Sequence, residues 1–254
     1  MRQLNIFALE KIPLIIPGDN LAKIIFNALK KSKLVIQDGD VFVIAQKIVS
    51  KAENRYVTLN EILPSKRASV LAQKTDKDPR LVELILRESK KVVRFRKGVI
   101  VVENKLGFIH ANAGIDRSNI ESDSLNTRVL LLPKNPDLSA KQLQKELSKI
   151  LLKKIGIIIN DSTGRAWRNG IVGIAIGCSG VSVLSDLRGQ KDLYGKTLEV
   201  TEVGIADELA SSASILMGQS NEGLPVVIIQ GLKLSNDKRG SKALLRLAKD
   251  DLFR

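Results

Sequence analysis

Apolar residues along the chain follow two rhythms: short dense runs of strand length, and longer stretches in which they recur every three to four positions. The dense runs at residues 4–9, 41–45, 155–159, 171–176 and 226–229 predict buried strands. Residues 92–95 and 99–102 alternate as half-buried strands do, and Asn104, Lys105, Leu106 and Gly107 turn the chain into residues 108–111. A further strand is expected around 198–203. Helical spacing places Leu21, Ile24, Ile25 and Leu29 on one face behind a cap at Asp19 or Asn20. It also predicts a helix over 65–74 entered through Pro64, and one opened by Pro79 with Leu81, Leu84, Ile85 and Leu86 inward. Ser139 is expected to cap a helix running to Lys154, with Leu143, Leu147, Ile150 and Leu151 on its apolar face. A helix rich in small residues follows at 206–217, and a basic amphipathic one at 241–252. Pro13 and Pro17 keep the residues around them out of any helix. The polar stretch 121–128 reads as a loop. With no internal repeat, low-complexity linker or clean boundary, residues 1–254 read as one unit of mixed α+β class.

Composition narrows the function. At 44% hydrophobic and 27% charged, the 254 residues suit a globular protein. No apolar run approaches the ~20 residues of a membrane helix. Glu10 interrupts the apolar N-terminus, which lacks a signal peptide's continuous core, so a cytoplasmic location and no membrane partner are expected. The single cysteine, Cys178, excludes an intramolecular disulfide and a cysteine-based metal cluster, and its apolar surroundings predict a buried inert thiol. The lone histidine, His110, excludes a multi-histidine metal site and reads first as a packing residue. A net charge of +14 fits a lysine-rich solvated surface, steering of small polyanions such as nucleotides, or nucleic-acid binding. The lysines are scattered and aromatic content is only 4%, leaving few platforms for stacked bases, so no nucleic-acid partner is expected.

Three stretches carry candidate chemistry. The run 155–159 is expected to end at Asn160, Asp161, Ser162, Thr163, Gly164 and Arg165, which gathers a carboxylate, two hydroxyls and a guanidinium at a strand end. Hard divalent cations take oxygen ligands, and Arg neutralises the phosphates they bridge. The same residue types also form ordinary turns. Gln46, Lys47 and Lys51 leave the apolar run 41–45, where an α/β protein holds phosphates; solvated lysines at a strand exit are the plainer reading. Asn112, Asp116 and Asn119 offer three oxygen-bearing side chains around Gly114, which relieves the backbone. No GxxxxGK[ST] sequence is present, so any nucleotide grip differs from a P-loop.

Together these segments resemble the coenzyme F420-0:L-glutamate ligase (F420 gamma-glutamyl ligase) family. The resemblance rests on Gly18-Asp19 after Ile12-Pro13-Leu14-Ile15, on Val49-Ser50-Lys51-Ala52-Glu53, and on Asn112-Ala113-Gly114-Ile115-Asp116 with Asn119. It continues through Asp161-Ser162-Thr163-Gly164-Arg165, the glycines at 170, 173 and 177, Lys191-Asp192-Leu193-Tyr194-Gly195, and Met217-Gly218. It covers nearly the whole chain in order. What it implies is a mixed two-lobed α+β fold and an intertwined homodimer. The implied activity is a GTP-dependent ligase adding L-glutamate to F420-0 with Mg2+ or Mn2+ and a monovalent cation such as K+. By motif, Asp116, Asp161 and Ser162 are the implied metal ligands, Ser162 standing where the family usually has Thr. Ile12, Pro13, Leu14, Ile15, Gln46, Lys47, Lys51 and Asn119 are the implied GTP contacts. The loop Gly218, Gln219, Ser220, Asn221, Glu222, Gly223, Leu224 and Pro225 joins them. Asp116, Asp161, Arg165 and Lys51 are the implied catalytic set. A related amide ligase with a different carboxylate acceptor, or a basic nucleic-acid-binding protein, is the alternative.

Overall fold

The computed structural model describes residues 3–122, 127–233 and 239–252. Strand β1 (Asn5–Ala8) leads through an extended segment to helix α1 (Leu21–Ser32), and β2 (Val41–Ala45) runs without a loop into α2 (Gln46–Ala52). An insertion follows: β3 (Tyr56–Thr58), α3 (Lys66–Thr75), α4 (Pro79–Arg87), β4 (Ser89–Arg96), β5 (Val99–Asn104), β6 (Ile109–Ala111) and β7 (Arg128–Leu130). Helix α5 (Pro136–Leu151) returns the chain to the long hairpin of β8 (Gly156–Arg165) and β9 (Arg168–Ser179). The short ladder of β10 (Ser185–Asp186) and β11 (Glu202–Val203), helix α6 (Ile205–Met217) and β12 (Val226–Gln230) complete the main elements.

The principal sheet has five strands in the order β1-β12-β2-β8-β9. Only β2 and β8 run parallel, with Ala45 opposite Asn160; the other pairs are antiparallel. Its central strands are apolar on both faces, as strands covered on both sides must be. Phe42, Ile44, Ile157, Ile159 and Ile228 pack toward α1 and α5, while Val41, Val43, Ile158, Val227 and Ile229 pack toward α6. The insertion has a core of its own around Leu59, Leu71, Leu81, Ile85, Ile100 and Val129. The mixed α+β class is as expected.

Several boundaries differ from the sequence reading, each for a local reason. Asn20, not Asp19, caps α1 by accepting from Lys23 N. Asn135 caps α5 instead of Ser139: Pro136 starts the helix, and the Ser139 hydroxyl is turned to Asn135 O and Glu53 Oε1. That helix ends at Leu151 because Leu152 adopts a left-handed φ of 55°. The strand expected to stop at Ile159 continues to Arg165, because β9 pairs with it as far as the hairpin tip. Around 198–203 only Glu202 and Val203 form a strand; Leu198 N is turned back to Gln190 O. The expected C-terminal helix is two short 3-10 turns, Ser241–Leu244 and Ala248–Asp250. Its start is held by Ser241 bonding to Asp137 and Ile176 O, and an isolated helix that short is marginal in water. Of the polar stretch 121–128, residues 123–126 lie outside the described residues.

Gly177 fixes the approach of α5 to the sheet. A Cβ there would lie 2.5 Å from the carbonyl carbon and oxygen of Pro136, backbone atoms with no freedom to swing aside. Gly177→Ala is therefore expected to destabilise the protein by about 1–3 kcal/mol, read as a lower urea midpoint at unchanged m-value.

Candidate active site

The parallel pairing stops at Ala45 and Asn160, where β2 passes into α2 while β8 continues beside β9; the end of such a parallel pair is the usual location of ligands in open α/β sheets. The residues immediately beyond Ala45 and Asn160 are Gln46 and Asp161. Gln46 is buried, and Ser50, one turn along α2, donates to its Oε1 at 3.0 Å. The amide nitrogen is thereby left to donate to Asp116 Oδ2. Lys47 Nζ lies 3.6 Å from Asp116 Oδ1 and also donates to the carbonyl and hydroxyl of Ser118 at 3.2 and 3.1 Å. The Asp116 backbone is locked by two hydrogen bonds with Leu130, of 2.9 and 3.0 Å.

Asp161 meets Asp116 from the other strand. Its Oδ1 accepts from Ser162 N at 2.8 Å, and its Oδ2 lies 3.4 Å from His110 Nδ1. Only 12% of the Asp161 side chain is exposed. Burial, reinforced by the negative charge of Asp116, pushes its carboxyl up to about 7. Burial also raises Asp116, against the opposing pull of Lys47. His110 is buried and held neutral, its pKa lowered to about 4 by desolvation, so it supplies no compensating charge at neutral pH. Two largely buried carboxylates, one of which opposes the ionisation of the other, are a donor set that a hard divalent cation would relieve. Among the described residues no cluster of three or more His, Cys, Asp or Glu side chains is present, so such an ion would complete its shell with neutral oxygens and water.

Strand alternation separates Ser162 from this pair. Asn160 and Ser162 share the opposite face of β8, where Asn160 donates to Ser214 Oγ at 3.0 Å and Ser162 Oγ to Gln219 Oε1 at 2.9 Å. Gln219 opens the 218–225 loop, which Gly218 begins with a φ of 68°. The Glu222 carboxylate lies against Gly218 where a Cβ would stand, and accepts from Ser220 N at 2.8 Å. Hydrogen bonds from its own backbone amide and from that of Ser220 depress its pKa. Ser220 O accepts from Asn119 Nδ2 at 2.8 Å, and Asn119 O accepts from Lys51 Nζ at 2.8 Å. Lys51 is itself lowered by partial burial and by Lys47. Pro225 O receives the Ala45 amide, closing the loop onto the sheet. The extended segment of Ile12, Pro13, Leu14 and Ile15 is moored beside α2 by Gly18 N donating to Ala52 O, with Ile15 buried and Leu14 exposed.

Gln46, Lys47, Lys51, Asp116, Asn119, Asp161 and the 218–225 loop thus converge. Arg165 does not: it lies at the exposed hairpin tip, bonded to Gly170 O, about 13 Å along the strand from Asp161 at roughly 3.3 Å per residue. Sequence reasoning missed the contact of His110 with Asp161, the anchoring of Lys47 by Ser118, and the orientation of Gln46 by Ser50. The i,i+4 spacing of Gln46 and Ser50 was the available signal for the last; Ser118 carries none.

A family model described as F420-0:gamma-glutamyl ligase matches residues 10–231. A protein named coenzyme F420:L-glutamate ligase from Methanocaldococcus jannaschii is 44% identical over 255 residues, covering 100% of this chain and 98% of its own. A protein of the same name from Methanothermobacter thermautotrophicus is 44% identical over 99% of both chains. One from Archaeoglobus fulgidus is 40% identical over 99% of this chain and 97% of its own. The chain belongs to the F420-0:gamma-glutamyl ligase family.

In the metal-free protein the folded Asp161 carboxyl keeps its proton up to about pH 7, whereas an unfolded one releases it near 3.8. The folded state therefore binds more protons between those values, and stability falls as pH rises through that window. Asp161→Asn is expected to raise the stability of the metal-free protein at pH 8 by on the order of 1–3 kcal/mol. Thermal melts at pH 5 and pH 8 check this: the variant should melt higher than the parent at pH 8, with the difference shrinking toward pH 5.

Proposed function

We propose that the protein is a GTP-dependent ligase that joins L-glutamate by an amide bond to the phospholactate carboxylate of coenzyme F420-0. Family membership and the name borne by its relatives support this reading. The observation that carries it is the proximity of Asp116 and Asp161, close enough for their charges to interact, beside the point where the parallel pairing of β2 and β8 stops.

A carboxylate does not acylate an amine until its oxygen becomes part of a good leaving group. In the proposed reaction an acceptor carboxylate oxygen attacks the γ-phosphorus of GTP, the bond to the β,γ-bridging oxygen breaks, and GDP leaves behind an acyl phosphate. The glutamate nitrogen then attacks the acyl carbon, gives up a proton, and inorganic phosphate departs. Asp116 and Asp161 would hold Mg2+ or Mn2+, which when bound neutralises charge on the transferring phosphoryl group. Ser162, on the other face of the strand, is a candidate ligand for a separate ion, and K+ belongs to the same proposal. Lys47 and Lys51 add fixed positive charge at the nucleotide end, and Asn119 ties that end to the 218–225 loop. Ile12, Pro13, Leu14 and Ile15 border the same end. Arg165 has no role in this scheme.

The two-lobed arrangement, a cytoplasmic location and assembly as an intertwined homodimer complete the proposal. Among the described residues no helix is long and apolar enough to cross a membrane. Leu193, Tyr194 and Val200, between β10 and β11, are almost wholly or largely exposed, and Ile171 near the β8–β9 hairpin tip is about half exposed, apolar side chains suited to a second copy.

Incubation with F420-0, L-glutamate, GTP and Mn2+ is expected to add the mass of a glutamyl residue to F420-0 and release phosphate. Asp161→Ala should reduce this by more than about a hundredfold with the fold intact; full turnover in that variant, or no adduct from the parent, would overturn the assignment. Light scattering is expected to give twice the chain mass, and Tyr194→Glu to shift the protein toward the monomer.

A further inference from the structure

His110 is buried beside the carboxylate pair, yet the proposed scheme leaves it without a task. It stands on β6, opposite Val102 of β5 within the insertion, and its ring reaches across to β8. Nδ1 lies 3.4 Å from Asp161 Oδ2, and Nε2 has no hydrogen-bond partner among the described residues. Phe108 packs near the ring, with centroids 5.7 Å apart. Gly114, at a left-handed φ of 73°, leaves the ring its room: a Cβ there would come 3.1 Å from Nδ1 and 2.8 Å from Leu132.

Each of the four oxygens of the two carboxylates is faced by a donor. Asp116 Oδ2 accepts from the Gln46 amide, and the Lys47 ammonium stands 3.6 Å from Oδ1. Asp161 Oδ1 accepts from Ser162 N at 2.8 Å, and the fourth oxygen, Asp161 Oδ2, faces the His110 ring. A carboxylate oxygen accepts about two bonds, so one fixed donor on each leaves a lone pair for a cation.

The position of the ring proton follows from what surrounds the two nitrogens. A proton on Nε2 would leave a buried N–H without an acceptor and turn the lone pair of Nδ1 toward a carboxylate oxygen. With the proton on Nδ1 the ring has an acceptor to donate to, and only a bare nitrogen goes unmet; orphaned buried N–H groups are the rarer kind. The 3.4 Å separation is longer than a formed N–H···O bond. Contacts of this kind are often loose before the ligand arrives.

We infer that His110 is a positioning residue: carrying its proton on Nδ1, it donates to Asp161 Oδ2 and orients that carboxylate toward the divalent cation shared with Asp116. A hydrogen bond behind a ligating carboxylate fixes its direction before the ion binds. The inference rests on the reading of Asp116 and Asp161 as metal ligands.

His110 is the chain's single histidine, so its ring nitrogens give a nitrogen-15 spectrum free of overlap in untagged protein. With Mg2+ at saturation and pH near 8, Nδ1 is expected to be protonated and Nε2 bare; a proton on Nε2 overturns the assignment, and this reading needs no variant. Counting free Mn2+ by electron paramagnetic resonance, with and without a non-hydrolysable GTP analogue, measures affinity apart from turnover. His110→Phe, which keeps a ring and removes the donor, is expected to weaken Mn2+ binding about 10–100-fold. His110→Asn, whose Nδ2 stands about as far from Cβ as Nδ1 does, should recover most of that loss. Parent affinity in both variants, equal losses in the two, or no Mn2+ binding by the parent under either condition overturns the proposal. Mn2+ binding that weakens in His110→Phe and recovers in His110→Asn, without any glutamylated acceptor, would retain the positioning role and remove the ligase reading. Ligation by a protein whose Mn2+ affinity ignores both variants would do the reverse.

Discussion

Two carboxylates of like charge, held together where water is largely excluded, are the constraint around which this molecule is arranged. Left alone, Asp116 and Asp161 would move apart or neutralise, and the structure prevents the first by fixing both backbones. Asp161 belongs to a strand paired on both edges of its inner half, and Asp116 is bonded twice to Leu130. Gln46 and Lys47, at the start of α2, hold the second carboxylate by hydrogen bond and charge. The neighbouring histidine is neutral and does not relieve the repulsion. Such preorganised electrostatic frustration is common where a protein is built to receive charge, and uncommon where it is built only to be stable.

Much of the frame was legible in the sequence because burial on both faces leaves an unambiguous record. The apolar runs of β2, of β12 and of the first half of β8 contain almost nothing but Val, Ile and Phe, which no exposed segment would tolerate. Pro79 likewise announced α4 through the chemistry of helix starts, and α3 begins just behind Pro64 as expected, with Ser65 as the cap the sequence reading did not single out. Failures came where a local signal competed with a tertiary partner. Asn160 to Arg165 has the composition of a turn, yet β9 holds it extended, so the polar run is the outer half of a hairpin. Ser139 is a good cap residue, but Pro136 had already begun the helix behind Asn135. The C-terminal segment has helical periodicity, but Ser241 is tied to Asp137 and Ile176 O and the chain there forms only short 3-10 turns.

For the site, the residue types were legible and their facing was not. Asp161 and Ser162 are adjacent in sequence and therefore on opposite sides of a strand once the segment is known to be one. Arg165 is near Asp161 in sequence and distant in space for the same reason: extended backbone carries four residues far. In contrast, the chain of contacts from Lys51 through Asn119 to Ser220 joins positions scattered over most of the molecule. No spacing rule recovers such a link. Family resemblance groups these residues around a nucleotide, and their contacts with one another are visible only in the fold.

The parallel pairing of β2 with β8 has a kinetic consequence. Every other partnership in the main sheet except β12 with β2 joins a hairpin or the chain's two ends, but this one encloses the whole insertion, more than a hundred residues. Closing so long a loop is entropically slow, and sequence-distant contacts of this kind delay folding. Because Asp116 travels with the insertion and Asp161 with β8, their cleft comes into being only when that late contact forms. A newly made chain thus presents neither the paired carboxylates nor their buried surroundings until the sheet is whole.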